Sequence, residues 1–129
     1  MKPFSVAAST HWVRTSLALA VLAVLEEGDR HGYALAQRIE ALGLGPVRGG
    51  ALYPVLGRLE TEGAVSAAWQ AGDGGPGRKV YCLTPAGRAR RAAEVAGWAT
   101  FSTSLDALLA TTSANVASTT RTTDTMRQN

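Results

Sequence analysis

The sequence predicts a mainly α-helical fold with a small β-hairpin wing: a winged helix-turn-helix followed by a long C-terminal dimerisation helix. Three observations support this prediction. Apolar residues recur at the helical period within GGALYPVLGRLETEG, residues 49–63. Two strand-like runs, AVSAAW and KVYCLT, then flank the glycine-rich segment AGDGGPGR. A further apolar stripe at helical spacing follows Pro85.

The first helix is predicted from the apolar run LALAVLAVL, Leu17 to Leu25. This run is shorter than the ~20 apolar residues that cross a bilayer. It ends in two glutamates without a small-residue cleavage site, so it does not fit a secretion signal. We therefore expect a buried helix that is capped near Ser9 or Thr10 and closed by Gly28.

A second helix is predicted from Leu35, Ile39 and Leu42, which recur at helical spacing before Gly43. The glycine- and proline-containing segment 43–50 is then the turn that leads into the next helix. Arg48 lies beside the start of that helix. Contact with a phosphate and simple solvation in the turn are both open for this arginine.

The third helix has two unlike faces. We expect Gly49 or Gly50 to cap its start, with Pro54 close to the first turn. An exposed helix face with an aromatic hydroxyl, a cation and a glycine suits docking in the major groove of DNA. The helical period puts one set of side chains in the core, Leu52, Val55, Leu56 and Leu59, and the other on the outside, Tyr53, Pro54, Gly57, Arg58 and Thr61.

The hairpin is expected to form the wing. The length of AGDGGPGR predicts a projecting loop rather than a tight turn. The segment leads to Arg78 and Lys79, which puts two cations where a flexible tip would reach a phosphate or enter a minor groove. A solvated hairpin tip without a partner is the alternative.

The last helix begins at Thr84 and Pro85, a hydroxyl cap followed by proline at the first helical position. It is predicted to run to about Ala110. Its apolar stripe needs a partner that a small domain does not supply, so we expect a second copy of the chain to cover it. The stripe consists of Trp98, Phe101, Leu105 and Leu108.

These patterns divide the chain into four parts. They are a flexible N-terminus over 1–9, a DNA-binding domain over 10–84, a dimerisation helix over 85–110 and a disordered tail over 111–129. The tail is rich in Thr and Ser and has no apolar period, so it is not expected to bury enough surface to offset the entropy cost of ordering.

Three segments in register resemble the PadR family of bacterial transcriptional regulators. They are the His31-Gly32-Tyr33 opening of the second helix, the recognition segment Gly50–Glu60, and the second wing strand Arg78–Thr84. The resemblance spans Leu17 to Leu109. It implies a homodimeric repressor that binds double-stranded DNA at two operator half-sites through a winged helix.

The candidate residues come from the helix faces, the turn and the wing, and the resemblance qualifies them. Two departures from the family pattern, Ala51 in place of a hydroxyl residue and Gly57 in place of a basic or polar one, predict fewer direct base contacts from this helix. Several family members bind planar aromatic effectors between helices of this kind, and Trp12 with Trp98 would offer stacking surfaces for one. Packing of both within the dimer interface is the favoured alternative. The candidate DNA-binding residues are Arg48, Gly50, Tyr53, Pro54, Gly57, Arg58, Thr61, Arg78 and Lys79.

Composition agrees with a DNA partner. The 129 residues carry a formal net charge of +3, and the stretch from Arg78 to Arg91 holds five cations and no acidic residue. The single cysteine, Cys82, excludes an internal disulfide and fits a reducing cytoplasm. We expect it to pack as a small apolar residue, and a redox sensor is the alternative.

Enzymatic chemistry has little support in the sequence. The two histidines, His11 and His31, have no metal-ligand spacing, and there is no nucleophile motif or phosphate-binding loop. We therefore expect a protein without catalytic residues, metal or cofactor, and without a membrane partner. The competing hypothesis is a winged helix that binds a protein rather than DNA.

Overall fold

A computed structural model describes the backbone of residues 9–72 and 74–127 and the side chains of residues 16–72 and 74–112. The fold is mainly helical with one small antiparallel sheet, as predicted. Two compact units are present, one up to Ala93 and one from Glu94 onward. The elements in chain order are α1 (Ser9–Glu27), β1 (Arg30–His31), α2 (Gly32–Ala41), α3 (Gly49–Thr61), β2 (Val65–Gly72), β3 (Gly75–Leu83) and α4 (Pro85–Arg127).

The core of the first unit lies between the first three helices and the sheet. The apolar run of α1 contributes five buried residues to it, Leu17, Val21, Leu22, Val24 and Leu25, and α2 adds Leu35 and Ile39. The expected division of α3 into two faces is confirmed. Its inner face is buried at Leu52, Val55, Leu56 and Leu59, and its outer face is exposed at Tyr53, Pro54, Gly57, Arg58 and Thr61.

Polar side chains fix the starts of two helices. His31 precedes α2 and accepts a hydrogen bond through its ring from the N–H of Ala34. Thr84 precedes α4 and accepts one from the N–H of Gly87 at 3.0 Å, which confirms the predicted hydroxyl cap. The Thr84 hydroxyl also donates to the carbonyl of Gly63 at 2.6 Å, so the same side chain holds the start of α4 against the α3–β2 turn.

The start of α3 differs from the prediction. Arg48, rather than a glycine, occupies the N-cap position, and its side chain makes no capping bond. Pro54 consequently lies inside the helix and not in its first turn. Proline has no N–H, so Pro54 cannot donate to the carbonyl of Gly50 one turn earlier. The loss of this hydrogen bond is tolerated because Gly50 is exposed, so that water can donate to its carbonyl instead.

The sheet has the strand order β1-β3-β2, with both pairings antiparallel. The central strand β3 places Tyr81 opposite Arg30 of β1 on one side and Ala67 of β2 on the other. The strand β1 was not predicted, because two residues are too few to show a period in the sequence. It ties the start of α2 to the wing.

The wing projects as paired strands and not as the predicted open loop. Pairing continues to Gly72 opposite Gly75, with a register shift between Gln70 and Gly72. A Cβ atom on Gly72 would lie 2.9 Å from the carbonyl oxygen of Pro76, and one on Gly77 would lie 3.0 Å from that of Gln70. Because glycine has no Cβ, β2 and β3 come close enough to pair in this segment. The paired strands are therefore longer than the sequence pattern indicates.

The helix α4 continues to Arg127, beyond the predicted end at Ala110. The predicted disordered tail over 111–129 thus differs from the structure up to Arg127. Threonine hydroxyls bond back to carbonyls of their own helix, Thr111 to Ala107 at 2.9 Å and Thr112 to Leu108 at 3.0 Å. A Thr-rich composition is compatible with a helix when the hydroxyls are satisfied in this way. Residues 1–8, 128 and 129 lie outside the described residues.

Arginine–glutamate pairs connect elements around the core. Glu27 accepts hydrogen bonds from Arg38 on α2, at 2.9 Å to each of its oxygens, and from Arg30 at 3.0 Å. The hydrogen bonds from Arg38 and then Arg30 lower the pKa of Glu27 from 4.5 to about 2. The Glu27–Arg38 ion pair links the end of α1 to α2.

Two of the three arginines at the start of α4 also have ion-pair partners within the chain. Arg88 pairs with Glu26 of α1 at 3.2 Å, and Arg90 pairs with Glu62. Cations near a helix N-terminus are disfavoured by the helix dipole. These two ion pairs explain their placement without a role in binding a ligand.

Replacing Gly87 is expected to destabilise the domain. A Cβ atom there would overlap the carbonyl oxygen of Ala64 and lie 2.8 Å from Cδ1 of Leu83. We predict that Gly87→Ala lowers the free energy of unfolding by roughly 1–3 kcal/mol, the usual cost of overpacking. Urea unfolding followed by circular dichroism measures this change.

The control for this substitution is Gly97→Ala in the same helix. Nothing lies within 4 Å of the position that a Cβ would take there. Alanine should therefore leave stability unchanged or raise it by up to about 1 kcal/mol through helix propensity. Equal unfolding midpoints for Gly87→Ala and the wild type would contradict the close approach at Ala64.

Stability is expected to depend on acid pH through Glu27. Because its folded pKa is lowered from 4.5 to about 2, its stabilising contribution is complete above pH 4.5 and is lost as the pH falls toward about 2. The difference in unfolding free energy between the wild type and Glu27→Gln should shrink over this range. Urea titrations at a series of pH values test this, with Asp106→Asn as the control for removing a carboxylate; a constant difference would contradict the arginine pairing.

Candidate nucleic-acid interface

The outer face of α3 and the residue before it present an exposed surface. Tyr53 is 52% exposed despite its size. A Cβ atom on Gly57 would meet nothing within 4 Å, so this part of the helix is open to close approach. The predicted positions that share this exposure are Arg48, Gly50, Tyr53, Pro54, Gly57, Arg58 and Thr61.

The polar groups of this surface are not equally available. Among the described residues, no carboxylate forms an ion pair with Arg48 or Arg58. The hydroxyl of Thr61, in contrast, donates to the carbonyl of Gly57 at 2.9 Å. Arg48 and Arg58 are therefore the charged groups of this surface that have no carboxylate partner among the described residues.

Tyr53 rests against a glycine at the start of α2. A Cβ atom on Gly32 would lie 2.7 Å from the hydroxyl oxygen of Tyr53 and 2.8 Å from a ring carbon. A Cβ atom on Gly49 would lie 3.4 Å from the nearest ring carbons of Tyr53. The glycine of the His31-Gly32-Tyr33 segment thus makes room for the aromatic ring of the third helix.

The two wing cations have different surroundings. Lys79 donates to Glu60 of α3 at 3.1 Å, and its Nζ lies 5.5 Å from the centre of the Tyr81 ring. The hydrogen bond to Glu60, with the neighbouring Tyr81, raises the pKa of Lys79. Arg78 instead approaches His31, with 3.3 Å between Nη1 and Nε2. Lys79 joins the wing to α3, and Arg78 is the wing cation without a carboxylate partner among the described residues.

A cleft of about 580 Å³ opens between the start of α2, the start of α3 and the wing. None of the residues that line it is acidic, and most of them are aromatic. The tryptophan of the wing is 73% exposed. The lining residues are His31, Gly32, Tyr33, Tyr53, Trp69, Arg78, Lys79 and Tyr81.

Sequence reasoning missed much of this cleft. It did not place His31, Tyr33, Trp69 or Tyr81 in a site. One signal was available for Trp69, because alternation along β2 puts it on the same face as Val65 and Ala67. Val65 is in the core, whereas Trp69 extends past it. No sequence pattern indicates that the rings of His31 and Tyr33 lie parallel with their centres 6.5 Å apart.

The second unit carries the predicted apolar stripe. Its four side chains are exposed, and the ring centres of Trp98 and Phe101 are 6.1 Å apart. The side chain of Trp12, the other candidate for an interface or effector site, lies outside the described residues. The exposed fractions are 53% for Trp98, 59% for Phe101, 39% for Leu105 and 61% for Leu108.

The order of elements and the hairpin after α3 define a winged helix-turn-helix. The profile of the transcriptional regulator PadR-like family matches residues 21–93. The chain therefore belongs to the PadR-like family of transcriptional regulators.

Individual relatives agree with this assignment. The transcriptional regulator Rv3488 of Mycobacterium tuberculosis is 38% identical over 76 residues, which are 59% of this chain and 69% of that protein. An uncharacterized 37.1 kDa protein in transposon TN4556 of Streptomyces fradiae is 40% identical over 73 residues. That alignment covers 54% of this chain but only 19% of the longer protein.

Solved structures share the fold. A PadR family transcriptional regulator from Eggerthella lenta superimposes with a TM-score of 0.71 at 30% identity, covering 81% of this chain and 91% of that one. The putative transcriptional regulator TA0346 from Thermoplasma acidophilum gives a TM-score of 0.69 at 21% identity, covering 78% and 96% respectively. The second likeness concerns the fold alone. Within the described residues, no helix combines the length and the apolar character needed to span a membrane.

Proposed function

We propose that this regulator is a cytoplasmic, sequence-specific DNA-binding repressor that acts as a homodimer on two operator half-sites. The observation that carries this proposal is the exposed face of α3, with Tyr53 and Arg58, lying beside a wing that carries Arg78 on β3. A major groove is wide enough for such a helix, while a wing cation reaches the neighbouring backbone.

The charges of this surface favour DNA over a protein partner. Arg48, Arg58 and Arg78 have no carboxylate partner among the described residues. Unpaired cations around an exposed helix face suit phosphates, which carry a negative charge at every nucleotide. Two arginines elsewhere in the first unit, Arg38 and Arg88, are instead paired with glutamates.

Dimerisation through α4 is proposed from its apolar stripe. Trp98, Phe101, Leu105 and Leu108 lie on one side of the helix at spacings of three and four. Water-exposed side chains of this size on one face are typical of a surface that pairs with another protein. A small aromatic effector stacking on Trp98 would act at this interface, whereas interface packing alone needs no effector.

The first test is binding of the purified protein to a labelled fragment of its own upstream region, with random DNA as competitor, over a salt series. The logarithm of affinity should fall with the logarithm of salt by ~0.9 per phosphate neutralised. Protection of two half-sites ~34 Å apart, about one helical turn, is expected for a dimer. The protein-interaction hypothesis requires the absence of binding to any DNA, including sequences selected from a random pool.

Arg58→Ala tests the recognition helix. Loss of a side chain that contacts a base edge should cost ~1–3 kcal/mol on the operator and relax preference at one base pair. Arg88→Ala is the matched control, because it removes the same charge from a residue that is paired with Glu26. Competition binding with operator and random DNA measures both. If both variants lose the same affinity for operator and for random DNA, Arg58 does not contact a base.

Leu108→Asp tests the dimer interface. A carboxylate within the apolar stripe should shift the protein from dimer to monomer, because burying an unpaired charge is costly. Thr103→Asp is the control, since residue 103 lies on the opposite side of α4 from Leu105 at 100° per residue. Sedimentation equilibrium gives the mass of each variant. A dimeric Leu108→Asp protein would rule out this stripe as the main interface.

A further inference from the structure

His31 uses its two ring nitrogens differently. Its Nδ1 accepts a hydrogen bond from the N–H of Ala34 at 3.3 Å. An imidazole nitrogen accepts a hydrogen bond only when it carries no proton, so the proton of the neutral ring lies on Nε2. His31 therefore caps α2 with one nitrogen and presents an N–H donor with the other.

Arg78 brings a second donor to the same point. Its Nη1 lies 3.3 Å from Nε2 of His31. A guanidinium group has donors only, so the two groups cannot satisfy each other while His31 caps α2. Two N–H groups that converge without an acceptor mark a position for an oxygen, which at ~2.9 Å from each nitrogen would accept both bonds.

The surroundings of this position favour an anion. No acidic side chain lines the cleft that contains His31 and Arg78. Glu60, the carboxylate that reaches the neighbouring Lys79, is paired with that lysine at 3.1 Å. The guanidinium of Arg78 consequently has no counter-charge among the described residues.

The walls of the cleft indicate what the anion is attached to. Tyr33 and Trp69 are 67% and 73% exposed, and Tyr53 adds a third ring. Aromatic faces around a phosphate-binding position suit a nucleotide, whose sugar packs against a ring while its phosphate accepts hydrogen bonds. The cleft also lies between α3 and the wing, where a DNA strand passes when the helix and the wing occupy adjacent grooves.

We propose that His31 and Arg78 together bind one backbone phosphate of DNA, with Trp69 against the adjoining sugar. This inference rests on the proposed function, because it takes the phosphate from a DNA strand held between α3 and the wing. It makes His31 both the cap of α2 and a phosphate ligand.

Two substitutions of His31 separate these roles. In His31→Asn, the side-chain oxygen can replace Nδ1 as the cap of α2, but nothing replaces the Nε2 donor. In His31→Gln, the amide nitrogen reaches the position of Nε2, but the cap is lost. We expect His31→Asn to unfold at the wild-type temperature and to bind DNA about tenfold more weakly, the loss typical of a hydrogen bond to a charged group.

His31→Gln should show the opposite pattern, a lower unfolding temperature with DNA affinity near that of the wild type. The loss in His31→Asn should be equal on operator and random DNA, because phosphate contacts carry no sequence information. Unchanged DNA affinity in His31→Asn would overturn the inference while leaving the proposed function intact. A loss confined to operator DNA would overturn it too, since it would place His31 at a base.

Nuclear magnetic resonance of the His31 ring provides a readout that does not need an operator. In the free protein, the nitrogen shifts should show the proton on Nε2, and a proton on Nδ1 would overturn the inference. Adding inorganic phosphate should move the ring signals in the wild type and not in Arg78→Ala.

This titration also separates the two proposals. If the wild type binds no DNA, the proposed function fails, and movement of the ring signals with inorganic phosphate or a free mononucleotide would then assign the same oxyanion position to a free phosphate ligand. Signals that do not move with DNA, phosphate or mononucleotide would overturn the site itself.

Discussion

Burial of one face of α3 is the constraint on which the rest of the structure depends. Leu52, Leu56 and Leu59 are almost completely buried against the other helices and the sheet. Burying one such side chain contributes about 1.5–3 kcal/mol, so the three together outweigh the costs of Gly57, ~1 kcal/mol, and of Pro54, ~3 kcal/mol, within the helix. Because the helical period fixes the directions of all side chains once these leucines are buried, Tyr53 and Arg58 lie on the outer face.

Helical period and capping chemistry predicted several local features of the fold, although not the start of α3, where Arg48 and not a glycine is the N-cap. The division of α3 into two faces, the threonine cap of α4 and the histidine at the start of α2 each depend on neighbours within a few positions. The end of α4 and the paired wing were predicted differently, because Thr-rich and Gly-rich compositions favour irregular structure on average. In the wing, close approach of glycine backbones allows the strands to pair instead. In α4, hydroxyl-to-carbonyl bonds satisfy Thr111 and Thr112 within the helix, so their side chains are compatible with it.

The candidate site was predictable only in part for a related reason. Single residues on α3 can be placed by the helical period, whereas the cleft depends on which side chains of distant segments meet. Lys79 and Arg78 are neighbours in sequence, yet one pairs with Glu60 and the other approaches His31. Pairing of this kind is a property of the fold. It makes Lys79 a link between the wing and α3 and leaves Arg78 as the candidate DNA contact of the two.

The register shift in the wing has a consequence for solubility. The strand β2 lies at the edge of the sheet and contains no lysine, arginine or proline, the residues that commonly protect such edges. Between the pairs Gln70–Arg78 and Gly72–Gly75, β3 has two residues where β2 has one, and an extra residue of this kind increases the local twist of a sheet. Added twist of this kind makes the edge of a sheet a poorer template for pairing with the edge of another wing.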